Sequence, residues 1–146
     1  MQKVPVRMWL FGLISLIEMH LLRIIRDYYP DDSWKPLISQ KRLIDAETLL
    51  ADRQRRNEAI DLADCIQFCD KRDIVLKSDE LCHLIGFDSK TSGEQILEPL
   101  KDLRNDLAHS QDIITRNWPD IVKLAAQAQE ILHKCENYPG VRISSR

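Results

Sequence analysis

Glycine and proline are scarce in this chain, four and six among 146 residues, and a turn-rich all-β fold needs more of both at its reversals. Cysteine is also sparse. Cys65, Cys69, Cys82 and Cys135 follow no paired framework spacing, and a chain of this length builds a core without staples, so they are expected to be reduced. No charge of one sign dominates: 21 basic residues against 23 acidic give a net charge of −2. A protein that coats nucleic acid is normally basic, so any such contact here must be local. The most apolar block, Met8 to Ile17, is roughly ten residues, half of what a bilayer-spanning helix requires. Glu18, His20, Arg23 and Arg26 break it, and no small-residue cleavage site follows. The expectation is a core helix in a cytoplasmic protein with no membrane partner. Trp9, Trp34 and Trp118 are too scattered to build a stacking platform for bases.

What is present is helical periodicity. With 44% hydrophobic and 30% charged residues, the chain reads as one domain over 1–146, its core spanning about 6–138 and its tail 139–146. Leu10, Leu13, Ile14, Ile17, Leu21, Ile24 and Ile25 recur at three- and four-residue steps and predict a long, heavily buried helix from Val6 to Tyr29, stopped before Pro30. Ser39 is the expected cap of a second helix carrying Leu43, Ala46, Leu49 and Leu50 inward. The run from Asn57 through Ile60, Ile66 and Phe68 predicts a third helix ending near Asp70, with Asp73–Lys77 the one segment that reads as extended. A short helix follows between Ser78 and Gly86, then one over Ser92–Ala108 that Pro99 should kink or reset. A last helix opens at Asn117 and Pro119. The fold class is therefore all-α, a bundle of about five to six helices.

The segment with chemical content is Leu100–Ser110. It holds a permanent cation, Arg104, an amide, Asn105, and an imidazole, His109, the one side-chain type that titrates unperturbed near neutrality. If the helix ends there, the open carbonyls of its last turn favour the imidazolium and push its pKa upward. Asn105 and His109, four apart, share a face. Arg104 and His109, five apart, differ by about 140° at roughly 100° per residue, and meet on one ligand only if the helix loosens near Ala108. A base, an acid and a cation suffice to cleave RNA without metal, and two facing copies of the set would supply both proton-transfer groups.

Arg104-Asn105-Asp106-Leu107-Ala108-His109 resembles the signature of the HEPN superfamily: an arginine, a polar residue, then a histidine four to six positions after the arginine, late in an all-α domain. The resemblance implies a helical bundle, commonly a homodimer, in which many members are metal-independent endoribonucleases of toxin–antitoxin, defence and RNA-processing systems. It implies RNA as substrate, a 2′,3′-cyclic phosphate product, an antitoxin or other protein as a further partner, and no cofactor or metal. Residue by residue, Arg104 would bind phosphate, Asn105 would orient it, and His109 would move the proton. The branch modified on a tyrosine two residues past the histidine is set aside, because Gln111 stands there. The alternative from another class is a catalytically silent HEPN-like dimerisation or interaction module. The dimer is expected around the fifth helix.

Three other features have plainer readings. Glu18 lies within the apolar pattern of the first helix and needs a partner such as Arg104, most simply in a structural ion pair. Arg53, Arg55 and Arg56, with Lys41 and Arg42 a few turns earlier, could track a nucleic-acid backbone, but Asp45, Glu47 and Asp52 interleave and a solvated helix face is the commoner meaning. Cys65, Cys69, Cys82 and His83 lack the C-x-x-C pair of a zinc site and read as thiols filling core space.

Overall fold

The computed structural model describes residues 3–108 and 118–140. It is all-helical, with no strand among the described residues. The helices are α1 (Lys3–Tyr28), α2 (Gln40–Arg55), α3 (Phe68–Leu76), α4 (Asp79–Ile85), α5 (Lys90–Ala108) and α6 (Trp118–Glu136), with short 3-10 turns at Pro30–Asp32, Lys35–Leu37 and Leu62–Cys65. The bundle forms around α1, which packs against α6, α3 and α5. Ile14, Ile17, Leu21, Ile24 and Ile25 of α1 are buried together with Leu97, Leu100 and Leu103 of α5 and Ala128, Ile131 and Cys135 of α6.

Local chemistry sets the boundaries. Ser39 caps α2 by accepting from the Arg42 amide at 3.3 Å, and Ser78 caps α4 by accepting from that of Leu81 at 3.1 Å. Gly86 closes α4 at φ 105°, a left-handed geometry that glycine adopts without penalty. α5 runs unbroken through Pro99, so the expected kink or reset is not a break in the helix.

Two expectations fail here. The third helix does not run from Asn57 to Asp70. Asp61 and Asp64 form one capping box and Gln67 and Asp70 another, so the chain makes a 3-10 turn and restarts as α3 at Phe68. Asp73–Leu76, read as extended, are thereby helical, with Lys77 as the cap. α1 buries Leu10, Ile14, Ile17, Leu21, Ile24 and Ile25 as the pattern predicts, while Met8, Trp9, Phe11, Leu16 and Met19 on its other side are exposed. Over Val6–Tyr28 it is long and apolar enough to cross a bilayer by length and composition, although 39% of its apolar window is buried in the bundle. The ten-residue block read from the sequence understated it.

Candidate functional site

α5 presents Leu97, Leu100, Leu103 and Leu107 to the core, and Arg104 falls at the edge of that stripe, neither buried nor free. Its Nε donates to Glu18 Oε1 of α1 at 3.2 Å. Glu18 Oε2 accepts from Lys71 Nζ of α3 at 2.9 Å. Lys71 reaches that point because it lies one turn from Phe68 and Ile74, on the buried face of α3, where its side chain is only 8% exposed. Glu18 is 20% exposed and Arg104 36%. One carboxylate thus holds two cations at the junction of three helices. The partner required for Glu18 is Arg104, as the sequence suggested, and also Lys71, which the misplaced third helix hid.

The cluster lines a cleft of about 330 Å³ whose walls include Phe11, Ser15 and Met19 of α1. Its net formal charge is +1, and among the described residues the terminal nitrogens of Arg104 have no hydrogen-bond partner. An anion approaching through the cleft meets a guanidinium whose remaining donors are unspent, beside a carboxylate that competes for the same cation.

Asn105 is exposed next to Arg104 on α5. His109 lies outside the described residues, as do Asn117 and the tail from residue 141. The backbone is still helical at Ala108, so the loosening needed to bring Arg104 and His109 together is not seen up to that residue. Arg7 of α1 donates its Nη2 to the Leu107 carbonyl at 2.7 Å. That carbonyl belongs to the turn expected to favour an imidazolium, so a second cation already draws on the same field. Arg7 was not singled out from sequence; its spacing on α1 carries no signal of a reach to α5.

The remaining candidates have structural roles. Arg42 turns inward to Asp70, Gln67 and Cys69, tying α2 to the start of α3. Arg55 and Arg56 pair with Asp52, and Arg53 with Glu58, so the basic run is largely balanced by its own neighbours. The four cysteines are free. Burial pushes the thiols of Cys65, Cys69 and Cys82 upward and that of Cys135 to about 12. Among the described residues no three His, Cys, Asp or Glu side chains converge to hold a metal ion.

No family model, curated protein or solved structure matches the chain.

Proposed function

We propose that the chain is a HEPN-like endoribonuclease that works as a homodimer, with Arg104 taking a phosphate oxygen, Asn105 orienting it and His109 transferring protons. The observation that supports it best is the setting of Arg104: half-exposed in a positively charged cleft, tethered through Nε alone among the described residues, on the helix that leads into His109. In the reaction, the ribose 2′-oxygen attacks phosphorus as its proton passes to a base. The bond from phosphorus to the 5′-oxygen breaks, and that oxygen takes a proton from an acid. The fragments carry a 2′,3′-cyclic phosphate and a 5′-hydroxyl. With one imidazole in the motif of each protomer, the second proton-transfer group comes from the other copy.

A second reading is favoured by Glu18. A carboxylate already holds one donor of Arg104 and competes with a phosphate for that cation, which suits a silent dimerisation or interaction module. Incubating the purified protein with mixed RNA and excess chelator separates the two. The nuclease reading expects cleavage that Arg104→Ala and His109→Ala each reduce at least ~100-fold, the usual scale for losing a proton-transfer or charge-stabilising group, with helicity unchanged. Inert wild-type protein across a broad RNA panel supports the silent module instead.

A further inference from the structure

α1 carries an outward apolar face with no counterpart among the described residues of the protomer. Met8 is 68% exposed, Phe11 57%, Leu16 44% and Met19 67%, with Trp9 at 47% beside them. At roughly 100° per residue, Met8, Gly12, Ser15 and Met19 fall in a strip about 60° wide, directly opposite the buried Leu10, Ile17 and Leu21. Phe11 and Leu16 flank the strip about 70° to either side. The two nearest charges are turned away, Arg7 to the Leu107 carbonyl and Glu18 to Lys71 and Arg104.

Gly12 is the telling residue. In the interior of a long helix glycine is unfavourable relative to alanine. A Cβ at that position meets nothing within 4 Å, so no contact among the described residues asks for it. A second helix packed closely at that level does.

We propose that this strip docks on the same strip of a second copy, antiparallel, about a two-fold axis passing between Leu13 and Ile14. Residue numbers facing each other then sum to about 27, and each exposed apolar side chain of this face finds a place. Met8 meets the partner's Met19, and Gly12 meets the partner's Ser15, two small residues at the centre that let the backbones approach. On one flank Leu16 packs on the partner's Trp9. On the other, Phe11 reaches the level between the partner's Ser15 and the partner's Glu18, the mouth of the cleft that holds Arg104. The second copy therefore contributes an aromatic wall to each anion site. The exposed face amounts to something on the order of 500 Å² per protomer, so the pair buries about 1,000 Å², near the lower bound for a specific interface. The dimer forms around α1 rather than around α5, with both Arg104 clefts at its edge.

This inference rests on the dimer of the proposed function and is independent of its chemistry. Light scattering and sedimentation over a concentration series, without RNA, test it in wild type, Gly12→Leu and Met19→Glu. The wild type is expected to be a dimer at about 100 µM and to dissociate on dilution. Gly12→Leu, which meets open space in the protomer, should weaken association at least ~30-fold while its melting temperature in dilute solution does not fall. Met19→Glu should weaken it likewise. A wild type that stays monomeric, a dimer indifferent to both substitutions, or a monomer that floats with neutral or anionic phospholipid vesicles through this face would each overturn the proposal. An RNA-inert protein that dimerises this way overturns the nuclease alone.

Discussion

Glu18→Gln is the sharpest perturbation of the three-helix ion cluster. It leaves Lys71, 8% exposed, without its carboxylate, and it releases Arg104. Removing one partner of a fully buried pair costs about 3–5 kcal/mol, whereas an exposed pair contributes about 0–1. Glu18 keeps 20% of its side-chain surface, Arg104 36%, and glutamine retains an oxygen that accepts from Lys71, so the loss should fall between those limits, near 2 kcal/mol. In a chain of this size that lowers the melting temperature by about 4–8 °C. Lys71→Met replaces the nearly buried cation with an apolar side chain of similar length and leaves Glu18 its contact with Arg104. It should cost about 1 kcal/mol or less, and in its background Glu18→Gln should cost less than about 1. Urea unfolding of the four proteins closes a double-mutant cycle with a coupling above roughly 1 kcal/mol. Additive losses would refute the claim that Lys71 depends on Glu18.

The two helix glycines should respond with opposite sign. At Gly93 a Cβ comes within 2.6 Å of Leu76 Cδ2 and 3.1 Å of Phe87, so Gly93→Ala should destabilise by about 1 kcal/mol despite its gain in helix propensity. Gly12→Ala, in open space, should stabilise the protomer in dilute solution by up to about 1 kcal/mol, measured in the same urea series; equal responses would contradict the packing described. Alkaline stability offers another check. Burial raises the Cys135 thiol from an ordinary value near 9 to about 12, and burial with the hydrogen bond to Asp27 raises the Tyr138 phenol. Above the ordinary values, near 9 for the thiol and near 10 for the phenol, the unfolded chain sheds protons that the folded chain keeps, so stability falls with pH, by about 1.4 kcal/mol per unit for each such group. Cys135→Ala should flatten the slope between pH 9 and 10.5, and an unchanged slope would show that the thiol is not the cause. Cys135 should also resist iodoacetamide in the folded protein, labelling only under denaturant, and rapid native labelling would contradict its burial.

The parts legible in the sequence are those fixed by short-range chemistry. Ser39, Ser78 and Gly86 announce helix ends because a hydroxyl or a left-handed backbone satisfies the freed groups locally. The start of α3 was hidden because Leu62, Cys65, Ile66 and Cys69 keep three- and four-residue steps across the break before Phe68. The capping boxes that make the breaks rest on Asp61–Asp64 and Gln67–Asp70, pairs that also occur inside helices. That error concealed Lys71, whose burial follows only once Phe68 and Ile74 share its helix. Glu18 was legible because a carboxylate in an apolar stripe must find a cation. The buried side of α1 was legible too, in Leu10, Ile14, Ile17, Leu21, Ile24 and Ile25; the apolar character of its other side was not, since Met8, Trp9, Phe11 and Met19 are apolar without joining that stripe.

The measurement that bears most directly on a shared Arg104–His109 phosphate site is an NMR titration of the protein with a 2′-O-methyl RNA that binds without being cut. The His109 imidazole resonances are assigned by their loss in His109→Ala, among four histidines in all. The account predicts that RNA shifts His109 and leaves His20, His83 and His133 in place, and that Arg104→Ala abolishes the shift. RNA binding that leaves the His109 resonances unmoved, or that moves them equally without Arg104, would contradict it.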